Sequence, residues 1–330
     1  MRGEQTLAGL GAKYGIHQAM IAARKRQTID RLTATFAGRR DDPKGAVWHC
    51  GAFSAICGLP PNVPVRAQAP ESAQVPQTFV SAGIPIAYAD VAPTGPDRGE
   101  PILLIHGFAS NHVINWLSTG WHKTLAHDGR RVIALDNRGH GASGKLYEPA
   151  AYATSIMAQD AANLLAHLGI GRADVMGYSM GARIAAFLAR DEPALVRSLI
   201  LGGLGNHLVD GVGLPMSIAE AMEAPSLATL TDPMQRMFRK FAEGTQSDLA
   251  ALAACIRGSR QVLAPAEAAA ILTPALIAIG TKDEVAGNPH RLAAMMGNAT
   301  AFDIVGRDHN LAVGDRSFKQ AVLDFLHARP

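Results

Sequence analysis

A hydroxyl, a carboxylate and an imidazole occur in this chain in the order Ser179, Asp283, His309, each just after a run of β-forming residues. Ser179 lies in Gly177-Tyr178-Ser179-Met180-Gly181. As a string, G-x-S-x-G is a weak signal, arising by chance about 0.1 times in a chain of this composition. Its context strengthens it. A strand precedes it and a helix follows, so the serine falls on a sharp turn whose flanking Gly177 and Gly181 relieve the crowding of chain on chain. The hydroxyl then stands at a helix N-terminus, where unpaired N–H groups and the dipole favour negative charge. A plain serine N-cap would also suit this turn.

A serine hydroxyl becomes an effective nucleophile only when a base removes its proton. Among the twelve histidines, His309 follows the last β run, inside Gly306-Arg307-Asp308-His309-Asn310. His49 lies in the N-terminal stretch, and His127 and His167 sit near helix ends, where solvation or capping suits them better. The imidazole in turn needs an acid to fix its tautomer. Asp283, in Gly280-Thr281-Lys282-Asp283-Glu284, is placed for this; Glu284 is the near rival, and Asp308 adjoins His309 too closely to reach round to its ring. An oxyanion formed on attack must meet N–H groups already in place. Met180 supplies one, and Phe108, in His106-Gly107-Phe108, the other, with Gly107 permitting the turn that aims it.

The elements that must position these groups alternate along the chain. β-rich runs fall at residues 78–81, 84–91, 102–105, 131–135, 173–176, 199–201, 276–279 and 301–305, the first two joined by Ala82-Gly83 as a tight hairpin. The later runs are apolar on both faces, as in strands covered by helices above and below. Helical spacing marks 152–168, 180–190, 289–296 and 316–328. This order predicts an α/β fold with a mostly parallel sheet and right-handed crossovers. The loops carrying Ser179, Asp283 and His309 then share the C-terminal edge of the sheet. Residues 206–271 show helical stretches at 226–243 and 247–263 and no strand, and are read as a helical lid over that edge. The Leu, Met and Ala of the lid suggest a small to medium apolar acyl group.

Composition bounds the alternatives. With 48% hydrophobic and 18% charged residues in 330, the chain is globular, and no run of apolar residues is long enough to cross a membrane. The net charge of +3 is local: residues 1–45 hold nine Lys/Arg against four acids, leaving 22 basic and 24 acidic residues elsewhere. A main domain without a cationic face gives no support to nucleic-acid binding. Residues 1–76, basic and then Pro/Ala-rich, read as a poorly ordered arm, with 77–205 and 272–330 as the core. Arg39-Arg40, the apolar run 45–59 and Ala67-Gln68-Ala69 offer an export alternative over 39–69 to a cytoplasmic location. Three cysteines, Cys50, Cys57 and Cys255, suit reduced thiols, with a Cys50–Cys57 bridge the alternative. Gly139, Gly144 and Lys145 match a phosphate-binding loop, but Leu146 stands where a Ser or Thr would hold Mg²⁺. No metal-ligand spacing is present, and nothing in the sequence fixes an oligomeric state.

Residues 78–327 resemble the α/β-hydrolase superfamily. The resemblance rests on His106-Gly107-Phe108, the stretch Asp136-Asn137-Arg138-Gly139-His140-Gly141-Ala142-Ser143, the serine elbow, Asp283 and His309. It implies an eight-stranded, mainly parallel sheet, no cofactor, and a triad of Ser179, Asp283 and His309 in an esterase-like serine hydrolase. It also implies that residues 136–143 form a structural turn near the pocket. Ser179 in place of an aspartate argues against epoxide hydrolase or dehalogenase chemistry. On this reading the substrate is a small-molecule carboxylic ester. Lactone, carbon–carbon bond and cofactor-free peracid chemistry on the same triad remain open, as does a binding module that has kept the fold without turnover.

Overall fold

The computed structural model describes residues 76–211 and 213–329. Apart from Pro76, the expected arm lies outside the described residues, together with the export alternative and Cys50 and Cys57. Eight strands form one sheet in the order β1-β2-β4-β3-β5-β6-β7-β8. Strands β1 (Gln77–Ser81) and β2 (Ile84–Val91) form the expected hairpin, with positive φ at Ala82 and Gly83. Strand β2 also pairs antiparallel with β4. From β3 onward every pairing is parallel, through β3 (Ile102–Ile105), β4 (Val132–Leu135), β5 (Ala173–Tyr178), β6 (Val196–Gly202), β7 (Ala275–Gly280) and β8 (Ala299–Ile304).

Helices α1 (Trp121–His127), α2 (Thr154–His167) and α3 (Met180–Asp191) fill the crossovers up to β6. Between β6 and β7 lie α4 (Ser217–Glu223), α5 (Pro233–Gly244), α6 (Leu249–Gly258) and α7 (Pro265–Ala270), with no strand among the described residues of that segment. Then come α8 (Pro289–Met295), α9 (His309–Ala312) and α10 (Arg316–Ala328). Successive side chains of a strand point to opposite faces, and β3 shows what that requires here. Ile102 and Leu104 pack with Trp121 and Leu125 of α1 and Phe318 and Val322 of α10. Leu103 and Ile105 pack on the other face with Leu164 and Leu165 of α2 and Ile184 and Leu188 of α3. Both faces are covered, so the strand reads as continuously apolar.

The helical segment departs from its expected boundaries. The stretch expected over 226–243 begins as α5 only at Pro233, where Asp232 caps the helix by accepting from Gln235 N at 2.8 Å. The stretch expected over 247–263 stops at Gly258. A Cβ there would come within 1.9 Å of Pro149 O, and the chain starts again as α7 on Pro265.

Two connections matter for function. Strand β3 pairs with β4 on one side and β5 on the other. The chain therefore reverses its direction of travel across the sheet here, opening a crevice at the C-terminal ends of β3 and β5, where such sheets bind ligands. At the opposite edge, fully buried Asp174, the second residue of β5, meets Arg130 at 2.8 Å and Arg329 at 2.7 Å, and Arg329 also bonds Glu100 at 2.7 Å.

Candidate active site

Strand β5 runs two residues further than expected and delivers Ser179 directly onto the N-terminus of α3. Ser179 has φ 55° and ψ −114°, a backbone conformation costly for a residue with a side chain. Its surroundings hold it there. Ser179 N donates to Gly202 O at 2.7 Å, and Ala182 N and Arg183 N donate to Ser179 O at 3.0 and 3.2 Å. The crowding anticipated at the two flanking glycines is real. A Cβ on Gly177 would come within 2.1 Å of Gly181 O, and one on Gly181 within 2.0 Å of Ile105 O. The turn is closed by contacts of backbone on backbone, with no flexible side chain able to move aside.

Asp283 follows β7 and His309 follows β8, and the structure brings both to Ser179. His309 Nε2 lies 3.0 Å from Ser179 Oγ, and His309 Nδ1 lies 2.7 Å from Asp283 Oδ2. The Asp283 side chain is fully buried, and its Oδ1 accepts from Val285 N at 2.9 Å and Ala286 N at 3.0 Å. One carboxylate oxygen thus anchors its own loop and the other faces the imidazole. Asp308 turns away to cap α9, accepting from Asn310 N and Leu311 N at 3.0 and 2.8 Å. One participant was missed by the sequence reading: Tyr178 Oη donates to His309 O at 2.6 Å, fixing the backbone beneath the imidazole. Burial raises its phenol well above the ordinary value. The signal was present, since Tyr178 precedes the serine, but an aromatic in that position gives no hint of a partner 131 residues away.

The loop after β3 passes close to the elbow, where a Cβ on Gly107 would lie 3.4 Å from Ser179 Cβ. Gly107 N donates to Asn115 Oδ1 at 3.0 Å, and His106 Nδ1 donates to Gly107 O at 2.7 Å. The C=O and N–H of one peptide point in opposite directions. Holding Gly107 O against His106 therefore aims the Phe108 N–H the other way. Met180 N–H, at the first position of α3, lies beyond the reach of any intrahelical acceptor. Asn115 was also missed; it sits on a π-helical turn (Val113–Leu117) with no counterpart in the sequence pattern.

Residues 136–143 form a tight turn behind this loop. Asp136 accepts from His112 N, His112 Nδ1 and Ala142 N at 2.7, 2.8 and 2.8 Å. His106 Nε2 accepts from Asn137 N at 3.0 Å, so the ring is neutral with its proton on Nδ1. Burial lowers the pKa of His106 to about 4 and that of His140 to about 3. Burial opposes the charge on Asp136 but is outweighed by its hydrogen bond to His112 and the neighbouring imidazoles, which bring it to about 2.

Two cavities meet at Ser179 and Phe108. The wide one, about 700 Å³, is lined by His309, Tyr178 and the apolar Met237, Phe238 and Phe241 of α5. The narrow one, about 50 Å³, is lined by Met180, Arg183, Leu214, Ile256 and Arg260. The segment carrying α4 to α7 is tied to the site, since Thr245 Oγ1 donates to Ala109 O at 2.9 Å, directly after Phe108. Among the described residues no cluster of three His, Cys, Asp or Glu could hold a metal ion, and no helix is long and apolar enough to cross a membrane. Cys255 is a free, buried thiol pushed up to about 12 by desolvation.

Comparison with known proteins agrees with this architecture. Residues 100–252 match the family model described as alpha/beta hydrolase fold. The chain is 31% identical over 211 residues to the dihydrolipoyllysine-residue acetyltransferase component of an acetoin cleaving system from Pseudomonas putida, covering 59% of this chain and 55% of that one. It is 36% identical over 107 residues to a putative carbamate hydrolase of Variovorax paradoxus, covering 32% and 39%. The matched stretch thus spans about half or less of these relatives' own length. A solved structure of a putative aryl esterase from Burkholderia cenocepacia superposes with a TM-score of 0.62 at 20% identity, over 76% of this chain and 98% of that one. That likeness is one of fold.

Proposed function

We propose that this chain, which belongs to the α/β-hydrolase superfamily, is a serine hydrolase that cleaves carboxylic esters through an acyl-enzyme. The reading is carried by the hydrogen-bonded series from Asp283 through His309 to Ser179. Ser179 Oγ attacks the acyl carbon while His309 Nε2 takes its proton, and the carbonyl electron pair moves onto oxygen. The Phe108 and Met180 N–H groups receive that oxyanion, each lowering the barrier by about 3 kcal/mol. His309 then hands the proton to the ester oxygen as its bond to the acyl carbon breaks and the alcohol departs. Water, deprotonated by the same imidazole, attacks the acyl-serine and releases the acid. Asp283 keeps the proton of the neutral ring on Nδ1 and stabilises the imidazolium. The chemistry needs no cofactor, and the wide cavity has the size of a small-molecule site. Helices α4 to α7 act as the lid over it. The relative named as a putative carbamate hydrolase supports attack at an acyl carbon bearing a heteroatom leaving group.

A fluorophosphonate probe and a set of p-nitrophenyl esters test the proposal. Wild-type protein should be labelled and should release p-nitrophenol, and Ser179→Ala should do neither. Equal labelling of the two proteins would overturn the assignment.

A further inference from the structure

The two cavities meeting at Ser179 differ in width and in the cations that line them, Arg183 and Arg260 in the narrow one and Lys240 in the wide one. His309 lines the wide one. Because His309 must deliver a proton to the departing oxygen, the leaving alcohol belongs on that side and the acyl group points into the narrow cavity. That cavity, at about 50 Å³, has room for some three or four water-sized groups.

Two guanidinium groups form its wall, Arg183 of α3 and Arg260 just after α6. Arg183 is 4% exposed and donates to His207 O at 2.7 Å, Gln261 O at 3.0 Å and Gly211 O at 3.1 Å. These carbonyls satisfy its donors and bring no negative charge. Arg260 spends one N–H group on Leu214 O. Among the described residues neither arginine meets a carboxylate, whereas buried Arg130, Arg138 and Arg239 each do, through Asp174, Asp160 and Glu243. Burial first, and the nearby Arg260 second, lower the pKa of Arg183 to about 10. Arg183 is buried and Arg260 partly exposed; two like charges that lack a counter-charge are costly where one of them is desolvated, and an anion placed against them relieves that cost.

We propose that this wall is a subsite for a carboxylate at the far end of the acyl group, so that the ester cleaved is the monoester of a short dicarboxylic acid with an apolar alcohol. The proposal rests on Ser179 being the nucleophile. The remote carboxylate takes no part in bond exchange: the bond from acyl carbon to alkoxy oxygen breaks, water supplies the hydroxyl, and the dicarboxylate is released. The apolar group expected from the lid residues then belongs to the alcohol, since Met237, Phe238 and Phe241 line the wide cavity.

The test sets p-nitrophenyl hemisuccinate and hemiglutarate against p-nitrophenyl 4-methylpentanoate and 5-methylhexanoate, in which an isopropyl group replaces the carboxylate. Wild-type kcat/KM should favour at least one anionic ester over its neutral counterpart by about 30-fold, the worth of one charge-assisted hydrogen bond. Arg260→Gln should bring that ratio close to one, and Arg260→Lys should keep part of it. Arg183 is left intact because its bonds hold residues 207, 211 and 261. A second readout needs no turnover: succinate or glutarate should raise the Tm of Ser179→Ala and leave that of Ser179→Ala/Arg260→Gln unmoved. Neutral esters preferred at both lengths, or a ratio indifferent to Arg260→Gln, with Ser179 still labelled by fluorophosphonate, would overturn the subsite and spare the nucleophile. Loss of labelling in the wild type would overturn both.

Discussion

Asp283 contributes through two oxygens with separate duties, and substitution can divide them. Asp283→Asn retains an oxygen able to accept from Val285 N and Ala286 N, and presents an amide N–H to His309 Nδ1. The imidazole must then carry its proton on Nε2, where it can no longer accept from the serine. The expected result is a folded protein with an unchanged Tm and a kcat lower by roughly 10⁴; a fall of only a few-fold would remove Asp283 from the mechanism. Gly181→Ala fails for a different reason. Its Cβ would meet Ile105 O at 2.0 Å and His106 O at 2.6 Å, both backbone atoms of the neighbouring strand and its exit. A cost of about 3 kcal/mol or more is expected, read as a lowered urea midpoint and poor soluble yield. Both residues were legible in the sequence because their types are demanded by local chemistry or local space. Tyr178, Asn115 and Arg183 were not, because the partners of each are groups that only the fold brings near.

At the scale of elements, α5 holds the helical segment together. Arg239, 5% exposed, donates from Nη1 to Ala221 O at 2.7 Å and Ala224 O at 2.9 Å, closing the end of α4, and pairs with Glu243 at 2.8 Å. Arg239→Ala leaves those carbonyls without a donor, at about 2 kcal/mol. The substitution should raise proteolytic sensitivity over residues 217–244 and raise KM more than it changes kcat, since the group lies away from Ser179. Unchanged proteolysis would show that the segment is held elsewhere. The same elements show where sequence reading reached its limit. Strands β3, β4 and β7 are buried on both faces, and an unbroken apolar run marks them to within a residue or so of their observed ends. The short helices α1 and α4, of seven residues each, offer few periodic positions and escaped notice, although α8, equally short, was read at 289–296. Helices α5 and α6 were seen but misbounded, because Pro233 and the contact of Gly258 with Pro149 override the periodicity.

The whole molecule carries its acid sensitivity behind the loop that follows β3. His106 and His140 are fully buried and neutral, with pKa values of about 4 and about 3 against 6.5 for a free imidazole. Between pH 6.5 and those values the unfolded chain binds more protons than the folded one, so stability falls as pH falls. Their contribution is complete above pH 6.5 and is lost progressively down to about pH 3. Asp136, lowered from 3.8 to about 2, adds a further loss as pH drops through that range. Urea unfolding should give a free energy about 3 kcal/mol lower at pH 5 than at pH 7. A flat profile would mean that these rings take up protons within the folded protein.

Strand β5 also has a far end. Asp174 lies near its start, sealed from water, and Arg329 reaches it from just beyond the last helix. A chain stopped after Ala328 would keep every group around Ser179 while stripping a counter-charge from the root of the strand that carries it. Such a trimmed protein should melt earlier yet react with a phosphonate at its usual pace, which would mark the tail as ballast for the sheet rather than as part of the reaction.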